Sequence, residues 1–116
     1  MNLEFIFKKL GIKKGDKIIV TSNIIKILAK YKTKKINFNP NNLINELVKK
    51  IGKKGTLLIP TFNWDFCKGK TFDYYKTPSQ SGALGNIALK KKGFLRSLNP
   101  IYSFAVIGKD KKKYAI

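Results

Sequence analysis

The chain has 116 residues, with 25 lysines plus arginines against 6 acidic residues and no histidine, and carries a formal net charge of +19. Its 43% hydrophobic and 12% aromatic content is enough for the core of one domain and excludes a disordered chain. Without histidine the commonest general base and the commonest metal ligand are both missing, and a single Cys67 cannot close an internal disulfide.

The charge admits nucleic-acid binding, an anionic small ligand, or a compositional bias. The 10 asparagines and 15 isoleucines that accompany scattered lysines favour bias as the main cause. An attraction for anions follows in any case. Arg96 is the only arginine, and its planar fork of donors is not equivalent to a lysine ammonium. No apolar run approaches the roughly 20 residues of a membrane span, and the start MNLEFIFKKLG lacks signal-peptide order. With the lone cysteine, these features lead us to expect a soluble, cytoplasmic protein.

In chain order, Asn2 suits the cap of a short helix with Leu3, Phe5, Ile6 and Leu10 as its apolar stripe and Gly11 as its stop. Residues 17–21 form an apolar, β-branched run, expected as a buried strand. Ile24, Ile27 and Leu28 then have helical spacing, and residues 32–39 read as a polar loop. Asn39 is the expected cap of the next helix, with Pro40 at its first position, Leu43, Leu47, Val48 and Ile51 on its inner face and Gly52 at its end.

Residues 56–59 are a second expected strand, closed by Pro60. An aromatic-rich stretch without periodicity, residues 61–81, follows, and a loop of this length in a compact domain is usually functional. A helix with Ser79 or Ser81 as cap, Leu84, Ile87 and Ala88 inward and Gly93 at its end comes next. Residues 103–107 are the third strand. Strands alternating with helices argue for an α/β fold, a layered sheet with flanking helices.

Three places suit chemistry. Thr21, Ser22 and Asn23 fall where a strand hands over to a helix, and free N–H groups there attract anions; an ordinary helix cap accounts for the same residues. Thr77, Pro78, Ser79, Gln80, Ser81 and Gly82 lead into a second helix start decorated with hydroxyls, where Gly82 and Gly85 allow a ligand or another backbone to come close; a plain capped helix with glycines for packing accounts for the same residues. Neither matches a Walker or dinucleotide fingerprint. Asn63, Trp64 and Asp65 suit a substrate pocket, with a carboxylate for an amine and an indole for stacking, or else a half-buried aromatic cluster. No carboxylate pair, metal-ligand cluster or base-assisted nucleophile can be assembled, so no catalytic residue and no metal is assigned.

Taken together, GIKKGDKIIVTSN, GTLLIPTFNWDF and FDYYKTPSQSGALGNIALKKKGFLRSLNPIYSFAVIGK resemble the amino-terminal half of the aminoglycoside 3-N-acetyltransferase family, over about residues 10–109. The resemblance implies a mixed central sheet flanked by helices, with residues 1–116 as the amino-terminal portion of a single larger domain. It also implies acetyl transfer from acetyl-coenzyme A to an amino group of an aminosugar or aminoglycoside, the antibiotic-modifying reaction. Thr21, Ser22 and Asn23 stand where the family usually has His-Ser-Ser near the cofactor. Thr77, Ser79, Arg96, Ser97, Ser103, Phe104 and Ala105 fall in blocks that shape the cofactor and acceptor site.

The family's His-x-x-Glu segment has no counterpart here, and Asn99 and Tyr102 stand where relatives often have histidine. The resemblance therefore implies a cofactor-binding half without the base that takes the amine's proton. Two other readings compete. One is an inactive truncated product. The other is a basic protein that binds nucleic acid through counterion release alone, since a lone arginine and dispersed lysines are poor equipment for reading bases.

Overall fold

The computed structural model of the chain describes residues 3–21 and 39–115. The expected helix around Ile24, Ile27 and Leu28, most of the polar loop, the Asn2 cap and the positions of Ser22 and Asn23 lie outside the described residues. The elements in order are α1 (Leu3–Lys9), β1 (Lys17–Ile19), α2 (Pro40–Ile51), β2 (Thr56–Pro60), a 3-10 turn (Asp65–Lys68), α3 (Ala83–Leu89), β3 (Leu95–Arg96), β4 (Phe104–Gly108) and α4 (Lys111–Tyr114).

The four strands form one mixed sheet in the order β1-β2-β4-β3. β1 runs parallel to β2, with Lys17 opposite Thr56 and Ile19 opposite Leu58, and the Val20 N–H extends the pairing to the Leu58 carbonyl. β4 lies antiparallel between β2 and β3, with Pro60 opposite Phe104 and Arg96 opposite Ala105. β3 is two residues long, too short to leave an alternation in the sequence, and was not expected.

Strand alternation sends Leu57 and Ile59 of β2 and Ala105 of β4 to one face, where they meet Ile44, Leu47 and Ile51 of α2, Leu84 and Ala88 of α3, and Phe7 of α1. Each fully buried Leu or Ile contributes roughly 1.5–3 kcal/mol to such a core. α2 begins as its sequence specifies: the Asn39 side chain accepts from the Asn41 N–H at 2.9 Å, Pro40 occupies the first turn, and Gly52 ends the helix at φ 69°.

Some inward faces differ from expectation. In α1 the buried residue is Phe7, whereas Phe5 is 58% and Leu10 70% exposed. Positions two apart lie on opposite sides of a helix, so Phe5 turns away from Leu3 and Phe7, and Leu10 stands beyond the helix end. In α2 the fully buried Ile44 joins Leu47 and Ile51 as the centre of the face, and Leu43 and Val48 flank it.

α3 also differs at both ends. Its N-cap is Gly82, with no side-chain cap hydrogen bond, and its last residue is Leu89 rather than a position near Gly93. Ser79 and Ser81 do not cap it because their hydroxyls and backbone bond elsewhere, as described below. Inside α3, a Cβ on Gly85 would stand 2.5 Å from the Pro60 carbonyl oxygen and 2.9 Å from Ser79 Oγ, so the glycine permits α3 to lie directly on the end of β2.

On the opposite sheet face Leu58 and Val106 are buried, while Ile19 at the β1 edge is 62% exposed. α4 is tied to that edge by a Lys17–Asp110 ion pair at 2.8 Å, which raises the Lys17 pKa and lowers that of Asp110, chiefly through the hydrogen bond between them. Among the described residues no helix is long and apolar enough to cross a membrane.

Asn39→Ala should lower stability by about 1 kcal/mol, read as a shifted urea midpoint with an unchanged slope. Gly85→Ala should destabilise, although the same change stabilises a helix on an open surface, because Pro60 or Ser79 must move; a thermal melt unchanged or raised by the alanine would contradict the close contact between α3 and β2.

Candidate functional site

Two segments meet at the end of the central strand: residues 60–65, which continue β2, and residues 77–82, which lead into α3. They are laced together by hydrogen bonds. The Gln80 N–H donates to the Phe62 carbonyl at 2.7 Å, and the Trp64 N–H donates to Gln80 Oε1 at 2.9 Å. Ser81 Oγ accepts from the Phe62 N–H at 3.1 Å and donates to the Pro60 carbonyl at 3.2 Å. Asn63 Nδ2 donates to the Pro78 carbonyl at 2.8 Å, and Asn63 Oδ1 accepts from the Asp65 N–H.

The segment is also held from the helix side. Asn86 of α3 accepts from the Ser79 N–H at 2.8 Å and donates to the Ser79 carbonyl at 3.0 Å. Between these segments and the end of β1 lies a cleft of about 100 Å³, whose walls include Thr21, Pro60, Phe62, Ser81, Gly82 and Gly85. Gly82 has φ 137°, a conformation that side-chain-bearing residues rarely adopt, and so leaves the rim without a side chain.

The residues singled out from the sequence divide into two groups. Thr21 is exposed and lines the cleft; Ser22 and Asn23 lie outside the described residues. Phe104 packs its ring edge-on to the cleft-lining Phe62 at 5.2 Å, and Phe62 meets Tyr102 at the same distance. Trp64 is 41% exposed, and the half-buried Asp65 accepts from Gln80 Nε2 at 3.1 Å.

The others face the protein. Asn63 is 1% exposed, Ser79 7%, Ser103 1% and Ala105 0%. Thr77 Oγ1 accepts from the Asp73 N–H at 2.7 Å, and Ser97 Oγ accepts from the Phe104 N–H at 2.8 Å. With Ser79 buried and Ser81 bonded to β2, the second helix start is not the open anion cradle that its hydroxyls suggested.

Arg96, in a block that the resemblance placed at the cofactor and acceptor site, turns furthest into the protein. It is 3% exposed, and its guanidinium lies 4.8 Å over the Phe72 ring. Nε donates to Ser103 Oγ at 3.0 Å, one terminal nitrogen to the Tyr74 and Thr77 carbonyls, and the other to the Thr61 carbonyl at 3.3 Å. Burial lowers its pKa, with a smaller opposing effect from Tyr74, yet an arginine stays charged. These donors serve protein oxygens, so the geometry directs the fork inward.

Sequence reasoning included Gln80 only as part of the second helix start and did not assign Phe62, Asn86 or Tyr74 a place at the site. Their signal was weak because each acts through backbone partners 16 to 22 residues away or across a helix. Among the described residues no group of three potential ligands stands where it could hold a metal ion.

The chain matches the family model described as aminoglycoside 3-N-acetyltransferase over residues 30–115. No curated protein sequence matches it. Among solved structures, the YokD protein from Bacillus subtilis superposes with a TM-score of 0.75 at 23% identity, over 92% of this chain and 49% of that one. Aminoglycoside acetyltransferase AAC(3)-IVa in complex with a gentamicin gives 0.75 at 23%, over 92% and 39%. AAC-IIIb as a binary complex with CoASH gives 0.72 at 20%, over 91% and 44%. These likenesses concern the fold, and the chain spans less than half the length of the structures it resembles. With a family match over three-quarters of its length and the same mixed sheet, the chain belongs to the aminoglycoside 3-N-acetyltransferase family.

Proposed function

We propose that residues 1–116 are the amino-terminal portion of a single, cytoplasmic N-acetyltransferase domain that uses acetyl-coenzyme A and acts on an amino group of an aminosugar or aminoglycoside. This chain supplies one wall of the coenzyme A cleft. The observation that carries the reading is the convergence of Thr21, Phe62 and the Ser81–Gly82 pair, from three parts of the chain, on one cleft at the strand ends. Family membership, the CoASH complex of one relative and the gentamicin complex of another support the substrate classes.

The residues present fit such a cofactor in kind. Thr21 offers a hydroxyl, Gly82 leaves its rim open, and Phe62, backed by the Phe104 ring, gives an apolar flank for a pantetheine-like chain. When bound, the cofactor supplies a thioester carbonyl as acceptor for the amine's attack. This chain's part is to bind and orient it. Thr21 is the described member of the proposed Thr21, Ser22 and Asn23 contact, and the exposed Trp64 and half-buried Asp65 are the candidates on the acceptor side. With no histidine in the chain, removal of the amine's proton falls to a group outside these 116 residues.

Charge bears on the acceptor. A surface at +19 with 6 acidic residues draws in the phosphates of coenzyme A and repels a polycation. A neutral or anionic aminosugar therefore suits this half better than a heavily charged drug.

Titration calorimetry with coenzyme A tests the cleft. We expect saturable binding that survives 0.15 M salt, and Thr21→Val, which removes the cleft hydroxyl at nearly constant volume, should weaken it about fivefold, the equivalent of one neutral hydrogen bond. Binding that vanishes at that salt, or that inorganic triphosphate matches, would leave only the general attraction of a basic surface for anions.

A further inference from the structure

We infer that Arg96 is a positioning residue: a buried cation that fastens residues 72–77 to the end of the sheet and so sets the rim of the cleft at residues 79–82. The clamp stands on its own geometry, and its link to coenzyme A rests on the reading above.

Among the described residues no carboxylate lies within ion-pair distance of Arg96, since the ion pair found there joins Lys17 and Asp110. A guanidinium without a counter-ion is tolerated in an interior only when its donors are met by oriented dipoles. Arg96 is met by three backbone carbonyls, Thr61, Tyr74 and Thr77, by the Ser103 hydroxyl and by the face of Phe72. Its backbone N–H adds a further tie by donating to the Tyr74 phenol oxygen at 3.0 Å.

These partners come from the end of β2, the start of β4 and the aromatic loop. Ser103 Oγ in turn stands 2.7 Å from Thr61 Oγ1, so the guanidinium completes a small polar knot at the strand ends. A lysine ammonium is one point with three donors and has no planar face to lay on Phe72, so it cannot reach all these oxygens from one position. That is a physical reason for an arginine in a chain that otherwise uses lysine.

From the knot the constraint passes along the chain. Thr77 is held by Arg96 and Pro78 by Asn63, and Gln80 and Ser81 are then bonded to Phe62 and Pro60. The hydroxyl of Ser81 and the open rim at Gly82 are the parts of that segment that face the cleft.

Amide hydrogen exchange on the 116-residue chain tests the clamp, with R96K keeping the charge and F72L keeping every guanidinium hydrogen bond while removing the ring. We expect R96K to speed exchange at the Thr77 and Gln80 amides at least tenfold, with amides of β2 and β4 within twofold, and F72L to do the same more weakly. Acrylamide quenching of Trp64, the single tryptophan, should rise in R96K because its N–H is tied to Gln80. No change at residues 77–81, or an equal rise through the sheet, would overturn the proposal. Should R96K fail to fold, F72L alone decides it by the same local-against-global comparison. If the loop loosens as expected and coenzyme A affinity of R96K equals that of the wild type, the link to the cleft is overturned. If the wild-type chain does not bind coenzyme A at all, the reading of the cleft fails and the exchange result still judges the clamp.

Discussion

An excursion of about twenty residues leaves the central strand at Pro60 and returns at Gly82 to start a helix on that same strand's end. Bringing the two ends together buries backbone carbonyls that water can no longer reach, and each needs a donor. Asn63, Ser81 and Arg96 supply them, and every feature of the candidate site follows from that requirement. The cleft exists because the two segments are held side by side; Gly82 leaves its rim without a side chain, and Gly85 lets α3 lie directly on the end of β2.

The same requirement explains the distribution of cations. Lysines are scattered over the surface, where a strongly hydrated ammonium on a flexible stem is at little cost and its contribution is a diffuse attraction for anions. Among the described residues, the cation that sits in the interior, among carbonyls that converge from three segments, is the arginine. Its lowered pKa, caused by burial, marks the desolvation that the carbonyl dipoles offset.

Much of the architecture was legible before any coordinates. Asn39-Pro40 and Gly52 bracket α2 through local backbone chemistry, and short β-branched runs mark β1, β2 and β4 to within a residue or two at most ends. What escaped were decisions made by neighbours distant in sequence. β3 exists because β4 offers it a partner. Ser81 turns from the helix it precedes to bond the Phe62 N–H and the Pro60 carbonyl, and the Ser79 backbone is held by Asn86 from within that helix. Gly85 was open to two explanations, a ligand or a backbone, and the Pro60 carbonyl is the one that the structure supplies.

By itself the sequence determined the family, through ordered blocks whose spacing survives at low identity, and the layered α/β class, through periodicity and caps. It also determined the absence of histidine and the charge, and hence which chemistry these residues can and cannot supply. Only the tertiary structure decided which way each polar side chain faces. Thr21 and Ser81 meet at a cleft, whereas Asn63, Ser79, Ser103 and Arg96 turn inward. A side chain's role follows from the oxygens and nitrogens that the fold places within about 3 Å of it, and those come from residues that no local pattern connects.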